Sequence, residues 1–158
     1  MRNLTDMLGQ KQVFSKILNI GVPLHTPMIA PHKETLYQGI YDIRTMPPTI
    51  PMYSSLFGRL GKNGDYNARY WTDQIREPVM FGAGIEAMRK DGYQFFLEIS
   101  PNTVLMGLID EVYKYAGDTK CTVIPTLERR KDEKTAALTS IAHLCTFGIS
   151  CPTGTFQV

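Results

Sequence analysis

Residues 93–99, Tyr-Gln-Phe-Phe-Leu-Glu-Ile, restrict the fold of this chain more than any other stretch. They are nearly continuously apolar over the length of one strand. A strand that meets water on one face alternates; one buried on both faces of a parallel sheet does not. Parallel neighbours also need a long crossover, usually a helix, and the chain offers helices on both sides. Upstream, Pro78 starts a helix in which Phe81, Ile85 and Met88 share a face, and Asp91-Gly92 ends it. Downstream, Ser100-Pro101 reads as the N-cap and first-turn proline of a helix over 101–115, with Val104, Leu105, Leu108, Ile109 and Val112 inward. Residues 121–127 are the next strand. Residues 132–147 are the last helix, and Gly148 closes it.

The earlier chain is less regular. Residues 12–20, with Val13, Ile17 and Ile20 apolar, read as a strand. Pro31 suits the first turn of a helix over 31–43, in which Leu36, Ile40 and Ile43 recur at helical spacing. Residues 50–54 are a short strand, 57–64 a glycine-rich loop, and Asp65 a cap for a helix over 66–76. From residue 50 the order is strand, helices, strand, helix, strand, helix. That order predicts an α/β fold, a mainly parallel sheet with flanking helices.

Composition narrows the function classes. The 158 residues suffice for one domain with a core, and 43% hydrophobic with 20% charged content is ordinary for a globular chain. No apolar run approaches the ~20 residues of a membrane span. Residues 1–10 have no apolar core of a secretory signal. A net charge of +2 gives no electrostatic argument for nucleic acid. The basic run Arg129-Arg130-Lys131 is followed by Asp132-Glu133 and reads as a solvated turn. Cys121, Cys145 and Cys151 lack the spacing of a zinc site or a disulfide framework, so buried thiols in a reducing cytosol are expected.

Candidate chemistry centres on Gly-Val-Pro-Leu-His-Thr-Pro, residues 21–27. Pro23 and Pro27 stiffen the chain around His25. An imidazole on a stiff turn can be aimed and titrates near neutrality, which suits acid–base catalysis. Read locally, the same pattern fits a histidine that only packs or hydrogen-bonds. Gly82-Ala83-Gly84-Ile85-Glu86-Ala87 matches G-x-G-x-x-A, with Glu98 downstream. The strand that a dinucleotide site needs before the glycines is missing, so they are expected inside a helix and no NAD(P) or ATP is expected. No G-x-S-x-G nucleophile turn occurs.

Taken in order, further motifs resemble the C-terminal half of malonyl-CoA:acyl-carrier-protein transacylases, especially the acyltransferase domains of modular polyketide synthases. Val22-Pro23-Leu24-His25 followed by Thr26-Pro27 looks like the family's catalytic-histidine segment. Pro51-Met52-Tyr53-Ser54 to Gly58 is similar to its Pro-x-x-Ser-x-x-x-Gly stretch. Tyr70-Trp71, then Arg76-Glu77-Pro78-Val79 and Phe81, resembles a third signature. Phe96-Leu97-Glu98 with Pro101 and Leu105 resembles a fourth, and Pro125-Thr126-Leu127-Glu128-Arg129-Arg130 looks like the closing strand and turn. These matches run from about residue 13 to 148, and the ordered set reverses the local reading of His25.

The resemblance implies the C-terminal part of an α/β-hydrolase-like large subdomain over 22–148, the end of a ferredoxin-like small subdomain over 1–21, and a linker over 149–158. It implies that His25 serves as general base and then acid for a serine that carries the acyl group. It implies a main-chain carbonyl that orients the imidazole, with Gln74 the matching position, and an acyl pocket lined by Val22, Pro23 and Leu24. The implied substrates are an acyl-CoA and a phosphopantetheinyl carrier protein, with no other cofactor. The implied partners are an N-terminal half bearing the serine, the acyl carrier protein, and a ketosynthase or other synthase domain, in the cytoplasm. In this family the serine turn, the oxyanion-hole residues and the carboxylate-binding arginine precede the histidine, and none is in this chain. Ser100 stands where the family has glycine, and Val22-Pro23-Leu24 is not a common extender-unit signature, so the acyl group stays open. A non-catalytic scaffold or carrier-docking module derived from the same fold predicts the same residues.

Overall fold

Along the chain the elements are α1 (Arg2–Gln10), a 3-10 turn (Pro27–His32) running into α2 (Lys33–Ile40), β1 (Tyr53–Ser54), β2 (Arg59–Leu60), α3 (Ala68–Gln74), α4 (Phe81–Lys90), β3 (Phe95–Glu98), α5 (Met106–Tyr115), β4 (Thr122–Pro125) and α6 (Glu133–Thr146). The structure is a computed structural model and describes residues 2–17 and 21–150.

The expected parallel unit is present. β3 and β4 pair in parallel, from Phe95 beside Thr122 to Glu98 beside Pro125, with α5 as the crossover. Alternation sends Phe96 and Val123 toward α4 and α5, where they pack with buried Ile85, Ile109 and Tyr113. The Phe96 and Tyr113 rings meet edge to face at 5.9 Å. Ile124, turned the other way, is 2% exposed. Helix α6 lies along β4, and the Ser140 hydroxyl donates to the Pro125 carbonyl. Asp132 caps α6 by accepting the Thr135 N–H at 2.8 Å.

Several expectations need correction. β3 is not buried on both faces: Phe95, Leu97 and Ile99 are 46, 42 and 83% exposed. On the face away from α5, Phe95 packs against the Phe147 ring at 4.8 Å, and Leu97 stays half-exposed. Helix α5 begins at Met106 rather than at Pro101, because Ser100 does not cap it. The buried Glu98 carboxylate does, accepting the N–H groups of Val104, Leu105 and Met106 at 2.7, 2.9 and 3.1 Å. Helix α3 is capped by Asn67, which accepts from Tyr70, while Asp65 pairs with Arg59 at 2.7 Å. The loop expected at 57–64 contains β2, which closes an antiparallel hairpin on β1. The strand expected at 12–20 does not form over 12–17, and 18–20 lie outside the described residues. Among the described residues no strand lies beside that segment, so a strand there would leave its N–H and C=O groups unpaired. Cys145 is disulfide-bonded rather than free, whereas Cys121 is a free thiol whose pKa is pushed up by burial.

The hairpin and α4 join the sheet unit to the segment carrying His25. Helix α4 contacts β1 and β2 on one side and α5 on the other. Helix α3 contacts α2, which follows the His25 turn. Among the described residues no helix is long and apolar enough to cross a membrane.

Candidate functional site

His25 has a φ of +59°, in the left-handed region that residues with a Cβ seldom occupy. Local bonds shape the turn around it. The Leu24 N–H donates to the Val22 carbonyl at 2.9 Å, and the Thr26 hydroxyl donates to the Pro23 carbonyl at 2.8 Å while accepting the Met28 N–H. Two bonds from distant chain then hold the histidine. Its N–H donates to the Ile75 carbonyl at 2.8 Å, and its ring Nδ1 lies 2.8 Å from the Glu77 carbonyl oxygen. A carbonyl only accepts, so Nδ1 carries the proton. In the neutral ring the opposite nitrogen, Nε2, is then the unprotonated one, with no protein partner among the described residues, on an exposed residue.

The carbonyl beside the ring is therefore that of Glu77, not of Gln74. Gln74 is the last residue of α3, and carbonyls in a last helical turn point along the helix axis. The chain has to leave the helix before a carbonyl can turn sideways, and Ile75 to Glu77 form that departing segment. Gln74 contributes its side chain instead: Nε2 donates to the Ser55 hydroxyl at 3.0 Å, and Oε1 is buried with no partner among the described residues.

Val22, Pro23 and Leu24 lie in the same exposed turn, with Val22 and Leu24 52 and 43% exposed. A groove of about 1120 Å³ between α4 and α5, lined by Phe81, Glu86, Arg89, Leu108, Val112 and Tyr115 among others, includes none of them. Gly82 and Gly84 fall inside α4, and Glu98 is engaged at α5, so the dinucleotide pattern has no strand-to-helix turn behind it. Among the described residues no three His, Cys, Asp or Glu side chains gather as metal ligands.

In the sequence Ser54 and Ser55 stand out only as part of the stretch from Pro51 to Gly58. Ser54 is 1% exposed; its hydroxyl donates to the Tyr70 hydroxyl at 3.1 Å and accepts the N–H groups of Leu56 and Phe57. Adjacent serines ahead of Gly58, which has φ of +64°, were the available signal of a side-chain-stapled turn.

A family described as acyl transferase domain matches residues 1–151. A mycocerosic acid synthase-like polyketide synthase of Mycolicibacterium smegmatis is 27% identical over 98% of this chain, and the chain spans 8% of that protein. A phthioceranic/hydroxyphthioceranic acid synthase of Mycobacterium tuberculosis is 30% identical over 71% of the chain, which spans 5% of it. Among solved structures, the acyltransferase domain from the second module of the salinomycin polyketide synthase superposes with a TM-score of 0.82 at 22% identity. That match covers 99% of this chain and 38% of the other. A malonyl CoA-acyl carrier protein transacylase from Clostridium perfringens superposes with a TM-score of 0.70 at 20% identity, covering 94% of this chain and 45% of the other.

Proposed function

The chain belongs to the acyl transferase domain family, and from that premise we propose that it is the C-terminal part of an acyltransferase that moves a malonyl-type acyl group from coenzyme A to a carrier-protein thiol. The observation that carries this reading is the Nδ1 to Glu77 carbonyl contact, which leaves His25 Nε2 as a proton acceptor. The nucleophile is a serine outside this chain. Nε2 takes its hydroxyl proton as Oγ attacks the thioester carbonyl. The coenzyme A thiolate then leaves and takes that proton from the imidazolium. In the second half Nε2 takes the proton of the carrier thiol, the sulfur attacks the acyl-serine ester, and the serine oxygen recovers the proton. Val22, Pro23 and Leu24 stand beside the acyl group. The partners are an N-terminal acyltransferase part with the serine, the carrier protein and neighbouring synthase domains. The exposed Leu97 and Ile99 side chains at β3 support a further part of the domain packing there.

The test is carrier-protein loading, read by intact-protein mass spectrometry, with this chain alone and combined with an acyltransferase part that contains G-x-S-x-G. Loading is expected only for the combination. Stable acylation of the chain by itself means that the nucleophile lies within it. Normal loading by a combination containing a folded His25→Ala variant leaves a carrier-docking module.

A further inference from the structure

We propose that Ser55 is the positioning residue for His25, acting as a clamp on the chain segment between α3 and α4. That segment carries both carbonyls that hold the histidine, those of Ile75 and Glu77. Ser55 grips it at each end. The Ser55 hydroxyl accepts from Gln74 Nε2 at 3.0 Å, just before the segment. The Ser55 carbonyl accepts the Met80 N–H at 2.6 Å, just after it. Because Gln74 Oε1 has no partner among the described residues, this single bond is what the Gln74 amide contributes.

Ser55 is itself held. It follows Ser54, whose buried hydroxyl fixes the turn to Tyr70 of α3 and to the N–H groups of Leu56 and Phe57. The chain of support runs from the hairpin turn through Ser55 to the segment 74–80, and from its carbonyls to the ring and backbone of His25. His25 needs it because its left-handed φ is unfavourable without outside bonds. The prediction is specific: losing the Ser55 hydroxyl should loosen the Glu77 carbonyl from Nδ1 and so release the ring tautomer. This inference rests on the general-base reading for its catalytic consequence but not for its structural one.

The experiment uses histidine-selective ¹⁵N labelling of the whole chain, at a pH where the ring is neutral. In the wild type His25 should show a protonated Nδ1 and an unprotonated Nε2. In Ser55→Ala, which keeps the carbonyl bond to Met80, the signal should move toward a mixture rich in the Nε2-protonated form that an unconstrained imidazole prefers. Ser55→Thr retains the hydroxyl and should restore the wild-type pattern; His32 and His143 should not respond. If Ser55→Ala does not fold, Gln74→Met is read in its place, since it keeps side-chain length and cannot donate. A folded variant that keeps the Nδ1-protonated ring overturns the clamp. In the combined acyltransferase, Ser55→Ala should lower kcat, with KM nearly unchanged, by up to about 100-fold. Normal loading by His25→Ala would remove the catalytic reading and leave the tautomer result standing.

Discussion

The backbone N–H of His25 donates to the carbonyl of Ile75 at 2.8 Å, tying a left-handed residue in one loop to the chain leaving α3. The imidazole is thus oriented by main chain from outside its own loop, the Glu77 carbonyl at Nδ1. Changes in the 74–80 segment should reach the ring without touching it, and changes to the ring should leave that segment folded.

His25→Ala should lower carrier loading in the combined acyltransferase by about 10²–10⁴, the usual worth of general-base help. His25 is exposed, so the melting temperature should hardly change. His32→Ala and His143→Ala should load normally. Loading rates and thermal melts of the three variants check this.

Glu77→Ala should cost far less than His25→Ala. The contact to the ring is made by the Glu77 main-chain carbonyl, which alanine retains. Parallel loading assays decide between a carbonyl and a carboxylate as the orienting group.

Glu98→Gln should lower stability by about 1–3 kcal/mol, because an amide cannot satisfy three converging N–H groups as a carboxylate does. Burial pushes the Glu98 pKa up, but bonds from Val104, Leu105, Ser100 and Met106 outweigh it and hold the pKa below the ordinary value. A depressed folded-state pKa contributes stability that is complete above the ordinary carboxylate range and is lost as the pH falls through the folded value. Denaturant titrations from neutral to acid pH should show that acid loss in the wild type and a flatter curve in the variant.

Gly58→Ala should be among the more destabilising single changes in the hairpin. The position has φ of +64°, and an added Cβ would meet Ala83 Cβ at 2.6 Å and Met80 Cβ at 3.2 Å. The left-handed backbone costs a residue with a Cβ about 1–2 kcal/mol. Overpacking against α4 adds roughly 1–3 kcal/mol. Chemical denaturation of the variant measures the sum.

Much of the parallel unit was legible in the residues. The apolar run at Phe95, Phe96 and Leu97, the Phe81–Ile85–Met88 stripe of α4 and the α6 segment closed by Gly148 are local patterns, and the residues report them directly. The motif order around His25 likewise pointed to the acyl transferase family. Boundaries set by side chains reaching across the chain were not legible: Glu98 delays α5 to Met106 by taking amides that a Ser100 cap would otherwise need. The burial of β3 was misread for a related reason, since apolar composition reports what a strand is able to bury, while exposure of Leu97 depends on what lies beside it.

The sequence by itself determined the α/β class, the α4, β3, β4 and α6 segments and the histidine on which chemistry centres, because propensity, capping and hydrophobic period act within a few residues. Only the tertiary structure decided which carbonyl meets the imidazole, which carboxylate caps α5 and what Ser55 grips. Those are pairings between residues far apart in the chain, and the distance between two such groups follows from how the helices and the hairpin pack, which no local pattern records.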